Sequence, residues 1–295
     1  MFEKDEVKQH VRFLLCFCSC CALANTRSLL ILFVKETLNN GFPLLKFGMS
    51  MKRILVLLII ATFLMTIPFA AANSRPPLNK IVFLYRFGKP PGTPGKGPPG
   101  GEKEYYEFLA KGVKWKDLPI TYVINPDNPD GLLESFVVEA ISNGAVEWDA
   151  HTSAELFGTY TVDYSAEVDW ESPDYTNELV FGDYPEEYVI AVTIVWGYFA
   201  GPPKQREIIE FDIMFDTDFV WGYAGPTSET SLGDTSVMDL QNIATHELGH
   251  GVGLADLYDD ECSEQTMYGY AVYGETKKRT LNTGDIAGIK ALYGE

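Results

Sequence analysis

The run HELGHGVGLAD at residues 246–256 constrains this chain more than any other stretch of comparable length. On a helix, residues four apart share a face, so His246 and His250 can present both imidazoles to a single metal. Glu247 lies one position on from His246, beside that metal, where it can hold and deprotonate a metal-bound water. Gly251 and Gly253 then interrupt the helix just where the chain would have to turn back. Gly253 suits the pivot, because glycine reaches positive φ at little steric cost. Asp256 follows three residues later. At this spacing it is either a third ligand or a surface carboxylate just past a helix.

The chain has four histidines, His10, His151, His246 and His250. His10 lies in a segment expected to be absent from the mature protein, and His151 closes another predicted helix far upstream. A catalytic zinc usually takes three protein ligands and leaves a fourth position for water. With two imidazoles fixed, Asp256 is the nearest well-spaced oxygen ligand. The rival third ligand is a downstream glutamate, Glu261 or Glu264.

The extended pattern HExxHxxGxx followed by His or Asp resembles the metzincin metallopeptidases, and among them the matrixins. That resemblance implies zinc held by His246, His250 and Asp256, with Glu247 as general base. The third ligand of the clan is most often His, and Asp is the minority form. Metzincins also carry a methionine turn beneath the metal. Here QTMYGY supplies Met267 in a Gly-flanked turn, and a thioether can pack under imidazoles without competing for the metal. Gly269 stands where some metzincins place a tyrosine that reaches the zinc, so Tyr268 and Tyr270 are given no catalytic role. The closing LNTGDIAGIKALYGE resembles the terminal helix of matrixin catalytic domains, with Asp285, Ile286, Gly288, Ile289, Leu292, Tyr293 and Gly294 in the familiar places. Fainter likenesses upstream (WKDLPITYVINP at 115–126, the helix-like GLLESFVVEAISNGAVEWDA, EIIEFDIMF at 207–215) extend the resemblance over residues 113–295.

Periodicity predicts the elements. Ile120, Tyr122 and Ile124 alternate as in a strand. Apolar residues recur at helical spacing from Leu132 to Trp148, including Phe136, Ala140 and Ile141. The segments 159–170, 177–184 and 189–199 are further strands. In 207–215, Ile209, Phe211, Ile213 and Phe215 face one way while Glu210 and Asp212 face the other. A second helix is expected from about Asp234–Ser236, with Ser236 and Asp239 as a capping box. On the last helix Ile286, Ile289 and Tyr293 share a core-facing side. The expected fold is α+β and zincin-like: a twisted mixed sheet, with two long helices and a C-terminal helix flanking an active-site cleft. An extended peptide would pair with an exposed sheet edge within Val189–Phe199, facing a pocket wall built from Asp256 to Leu281.

Ahead of this lies MKRILVLLIIATFLMTIPFAAANS, with a basic start, a long apolar run and small residues near Ala72. Residues 49–72 read as a secretory signal peptide. The uncharged run from Ile54 to Ala72 also has the length of an uncleaved membrane anchor. Residues 1–48, with Cys16, Cys18, Cys20 and Cys21, read as an upstream extension from a misassigned start, with translation beginning at Met49 or Met51. Residues 73–101 form a short N-terminal segment and linker, and 102–295 the catalytic domain. Within the former, KIVFLYRF at 80–87 is strand-like, either a vestigial propeptide or a peptide that lies in the cleft, and KPPGTPGKGPPGG at 89–101 cannot bury a core. Some matrixin propeptides hold the zinc through a cysteine. No cysteine lies between 73 and 261, so that device is missing, and Cys262 is read as a small packed residue.

Residues 73–295 carry 15 basic and 37 acidic side chains. Such a surface repels nucleic acid and anionic membrane and fits a soluble, exported monomer. Asp212, Asp216 and Asp218 cluster near a strand end. The resemblance makes calcium a candidate there, and a solvated strand face is the alternative. The whole reading is of an exported zinc metalloendopeptidase acting on polypeptides. The alternative is a catalytically silent secreted binding or adhesion protein on the same scaffold, against which the intact Glu247 argues.

Overall fold

Alternating and continuous apolar runs build a mixed seven-stranded sheet. The computed structural model describes residues 76–89, 105–225 and 234–295. Residues 1–72, and all but the first residue of the 89–101 stretch, lie outside them. The strands are β1 (Asn79–Phe87), β2 (Ile120–Ile124), β3 (Phe157–Val162), β4 (Glu178–Gly182), β5 (Val189–Tyr198), β6 (Glu207–Asp216) and β9 (Tyr270–Ala271), and the spatial order is β3-β2-β4-β6-β5-β1-β9. β2 runs parallel to β3 and β4, and β4 runs parallel to β6. β5 is antiparallel to both of its neighbours, β6 and β1. A two-stranded ladder of β7 (Trp221–Gly222) and β8 (Met238–Asp239) lies beside the sheet.

The sheet separates two apolar layers. One face packs the main core, in which Ile124, Leu179, Phe211, Ile213 and Phe215 meet the helices α1 (Glu134–Asp149), α2 (Leu240–Gly251) and α3 (Thr283–Tyr293). The other face carries Val180, Val192, Ile194, Trp196 and Met214, roofed by Ala166 and Val168 from the loop between β3 and β4. This is why β5 reads VIAVTIVWGY with no polar alternation. A strand buried on both faces has no solvent side to mark. Trp148 on α1 donates its indole N–H to the Thr245 carbonyl on α2 at 2.8 Å, fixing the height of one helix against the other.

Several boundaries differ from those expected. The strand foreseen at 159–170 covers Phe157–Val162 and stops at Asp163, whose carboxylate takes the Ser165 backbone N–H at 2.8 Å in a local turn that competes with the ladder. The second helix starts at Leu240, not near Asp234. Its cap is Asp239, which accepts from the Asn242 backbone N–H, while Asp234 and Ser236 bond to each other in a preceding turn. The capping box lies on α3, formed by Asn282 and Asp285. A bulge between Trp196 and Gly197 shifts the start of β6, so Ile208 joins the main core and Ile209 packs on the opposite layer. The edge of β5 expected to be open is covered by β1 from Asn79 to Arg86.

Asp239 has a second duty. It receives the buried Arg279 guanidinium through two N–H groups, and also the Ala224 backbone N–H at 2.9 Å. Removing one partner of a buried pair leaves the other charge uncompensated. Asp239→Ala is therefore expected to lower unfolding stability by about 3–5 kcal/mol, measured by urea denaturation of the full chain. A loss below about 1 kcal/mol would mean that the pair does not hold this corner.

Candidate metal centre

Local chain geometry brings the three expected donors together. His246 and His250 lie one turn apart on α2, with ring centroids 4.9 Å apart and planes nearly perpendicular. After Gly251 the helix ends. Gly253 adopts φ +111°, a left-handed conformation that L side chains rarely take. The reversal closes with the Leu254 N–H on the Gly249 carbonyl at 2.9 Å. It returns Asp256 to the helix, with Oδ1 3.2 Å from His246 Nε2 and 3.5 Å from His250 Nε2. His246, His250 and Asp256 are all buried, and each offers a ligand atom within 4.8 Å of the others.

Backbone carbonyls orient both imidazoles. His250 Nδ1 lies 2.9 Å from the Leu254 carbonyl, and His246 Nδ1 lies 2.7 Å from the Thr266 carbonyl. Each Nδ1 is thereby assigned as the protonated nitrogen, and Nε2 turns inward with its lone pair. Thr266 belongs to the turn that carries Met267. That turn is held by Asp285 on α3, which accepts the backbone N–H groups of Thr266 at 2.7 Å and Met267 at 3.1 Å. Met267 is buried under α2 against Gly249, where any Cβ would run into its Sδ and into the Trp148 ring.

Four side-chain atoms here are buried without a hydrogen-bond partner: His246 Nε2, His250 Nε2, Asp256 Oδ1 and Glu247 Oε1. Unsatisfied polar atoms at such depth cost free energy unless something binds them. Two imidazole nitrogens and one carboxylate oxygen are a donor set that zinc takes, with a position left for water. Burial pulls the His246 pKa down to about 4, so that ring is neutral and its Nε2 is available. Burial disfavours charge on His250 as well, yet Asp256 and Glu247 outweigh it and the net shift is upward. Asp256 is desolvated too, but the two histidines hold its carboxyl far below the ordinary range.

Glu247 is fully buried beside this cluster. Its Oε2 accepts the Thr193 hydroxyl from β5, leaving Oε1 free. Burial pushes its carboxyl up to about 7, while His250 and Thr193 pull the other way. Of the rival ligands, Glu264 is exposed and paired with Lys277 at 2.9 Å. Glu261 sits on a surface 3-10 turn, and neither joins the cluster. His151 pairs with Glu147 at 3.0 Å, away from these donors.

Residues that sequence reasoning did not single out complete the site. The Tyr258 hydroxyl donates to Asp256 Oδ2 at 3.0 Å, fixing which oxygen turns inward. From β1, the Phe83 ring stacks on His250 at 3.9 Å and Tyr85 on His246 at 3.7 Å. The Tyr85 hydroxyl meets Lys278, which is fully buried. Of the two readings of KIVFLYRF, a vestigial propeptide or a peptide in the cleft, the structure shows this segment lying over the histidines; neither reading singles out the two aromatics.

The fold and site define a zincin-type centre, and the comparisons give its family. A family model described as matrixin matches residues 114–294, and the chain belongs to the matrixin family, whose members are zinc-dependent metalloendopeptidases. It is 26% identical to metalloendoproteinase 2-MMP of Arabidopsis thaliana over 176 residues, which are 59% of this chain and 41% of that protein. It is 36% identical to metalloendoproteinase 1 of Glycine max over 80 residues, 27% of this chain and 24% of that one. Matrilysin of Rattus norvegicus is 24% identical over 194 residues, 64% of this chain and 62% of the relative. The chain thus spans less than two thirds of the length of each.

The acidic trio expected at Asp212, Asp216 and Asp218 is divided between two places. Four residues along a strand span roughly 13 Å, so Asp212 and Asp216 cannot share an ion. Asp216 and Asp218 approach Asp183, whereas Asp212 joins Glu178, Glu210, Asp169 and Asp174. Burial and the mutual repulsion of that second group push Glu178 up to about 9, Glu210 to about 8 and Asp212 to about 6. Folded-state values above those of the unfolded chain mean that the folded protein keeps protons which the unfolded chain releases. That stabilising contribution is complete below about pH 4 and is lost as pH rises through the folded values, between about pH 5 and 9. The calcium-free chain should therefore melt at a higher temperature at pH 5.5 than at pH 8.5, and Glu210→Gln should narrow the difference. An unchanged difference in that variant would remove Glu210 as its source.

Proposed function

We propose that this protein is an exported zinc metalloendopeptidase in which His246, His250 and Asp256 hold the metal and Glu247 is the general base. The observation that carries this is the convergence of three buried, unpartnered donor atoms beside an equally unpartnered Glu247 Oε1. A zinc held by His246, His250 and Asp256 would supply Lewis acidity, making a water more acidic and a scissile carbonyl more electrophilic. Glu247 is anchored through Oε2 by Thr193, so Oε1 takes the proton of the attacking water and passes it to the leaving amine. A polypeptide would take the place of β1 along β5, pairing by backbone hydrogen bonds that any sequence can make.

Export rests on the signal-like segment 49–72, with residues 1–48 as an upstream extension and 102–295 as the catalytic domain. Among the described residues no helix is long and apolar enough to cross a membrane. Calcium fits the group of Asp169, Asp174 and Glu210, because Asp169 Oδ2 and Glu210 Oε1 are buried without partners and hard carboxylate oxygens suit that ion. Millimolar calcium is expected to raise the melting temperature of the wild-type chain and to leave Glu210→Gln and Asp174→Asn unmoved. Equal shifts in all three would place the ion elsewhere.

The central test is casein cleavage by the full chain with zinc supplied. Glu247→Ala should lose at least about a hundredfold in rate while keeping one zinc by elemental analysis. Asp256→Ala should lose the zinc, and Glu261→Ala and Glu264→Ala should keep it. Zinc retained by Asp256→Ala would overturn the ligand set. Because β1 covers β5, one bound zinc without cleavage of any polypeptide, by the full chain and by a Tyr85→Gly variant alike, would favour the silent binding protein.

A further inference from the structure

β1 lies across the cleft as a bound peptide would. Its backbone pairs antiparallel with β5 on one side, from Asn79 to Arg86, and parallel with β9 on the other, at Arg86 and Phe87. Residues two apart on a strand share a face, so Phe83 and Tyr85 both point at the candidate metal ligands while Leu84 packs on the opposite layer. Backbone pairing of this kind carries no sequence preference. Selectivity has to come from the slots that receive side chains.

The slot around Tyr85 is built for one kind of side chain. The tyrosine is fully buried, with its ring flat on the His246 imidazole, 3° from parallel. At the far end stands Lys278, whose side chain is also fully buried. Its ammonium is tied to Glu275 Oε1 at 3.0 Å, to the Tyr268 carbonyl at 3.0 Å and to the Tyr270 carbonyl at 2.6 Å, and it meets the Tyr85 hydroxyl. A floor that pairs an ammonium with a carboxylate is neutral overall, so an entering acidic side chain gains no net attraction. A phenylalanine would set an apolar ring edge against a buried ammonium, whereas a phenol presents an oxygen that can accept from it.

We propose that the slot between His246 and Lys278 is a tyrosine-selecting subsite of the cleft, which Tyr85 fills in cis, so that the substrates are extended polypeptides with a tyrosine beside the bond that is cut. This rests on the peptidase reading above. A site built to hydrogen-bond a hydroxyl discriminates against the analogue lacking it. Because Lys278 keeps its other partners, the expected preference is moderate, roughly tenfold for one hydrogen bond to a charged group.

The test uses the full chain with Tyr85→Gly and zinc supplied. The substitution empties the slot and removes the buried side chain that anchors β1 over the cleft, so that a polypeptide can displace the strand. Casein cleavage by this variant is the control for the peptidase reading. Two peptides differing only by Tyr or Phe at the selected position are then compared by kcat/KM. The expected result is casein cleavage, a ratio near ten in favour of Tyr, and a ratio within twofold of unity once Lys278→Met is added. Casein cut with a ratio within twofold in the Tyr85→Gly chain overturns the tyrosine subsite and leaves the peptidase reading standing. No cleavage of casein overturns that reading, and with it the assignment of substrate. A second measurement needs neither metal nor turnover, nor a folded Lys278 variant. p-Cresol should raise the melting temperature of the Tyr85→Gly chain more than toluene does at equal concentration. Equal shifts would overturn the role given to Lys278.

Discussion

Two backbone carbonyls, those of Thr266 and Leu254, govern how the rest of this site is arranged. An imidazole that donates from Nδ1 to a carbonyl has its other nitrogen aimed and its tautomer fixed. The carbonyl of Leu254 is in place because the chain reverses at Gly253, where φ is +111°. The carbonyl of Thr266 is in place because Asp285 grips the Met267 turn from the start of α3. The C-terminal helix is thus connected to the first histidine through one carboxylate and one peptide unit. A change on α3, far along the sequence, would reach the donor atoms by rotating that peptide.

The helical half of this arrangement was legible in the sequence. A spacing of four places His246 and His250 on one face whatever surrounds them, and a glycine followed by a carboxylate three residues on announces the reversal. Ile289 and Tyr293 pack as their spacing required: Ile289 is buried, and the Tyr293 hydroxyl reaches the Val252 carbonyl at 3.0 Å. The start of α2 misled because Ser236 and Asp239 have the spacing of a capping box, while the real cap is Asp239 acting alone with Arg279 on its other side. Short-range patterns list the residues that can cap. Which of them does so is decided by tertiary partners.

Strand partners were not legible. KIVFLYRF announces a strand by alternation and leaves a place in the cleft as one of two readings, but period two does not say which neighbour it pairs with. Lys278 sits in a KKRT run that looks like a surface turn, yet Lys278 and Arg279 are both buried. Each is drawn inward by a carboxylate distant or hidden in the pattern, Glu275 for one and Asp239 for the other. The acidic groups show the same limit. Asp169, Asp174 and Glu210 lie on a loop and a strand widely separated in sequence, and only the sheet brings them together, whereas the neighbouring Asp212 and Asp216 are parted by the length of the strand.

The covering of β5 by β1 has a kinetic side. A segment of the same chain meets its cleft intramolecularly, at an effective concentration that for linked modules is on the order of millimolar. A free polypeptide at micromolar concentration, making the same backbone ladder, would compete at a large disadvantage. Turnover by this form of the chain would then follow how often β1 peels away, and raising the substrate concentration would do little to change that frequency. Cutting the tether would turn the same strand into an ordinary dissociable ligand, diluted by the surrounding volume.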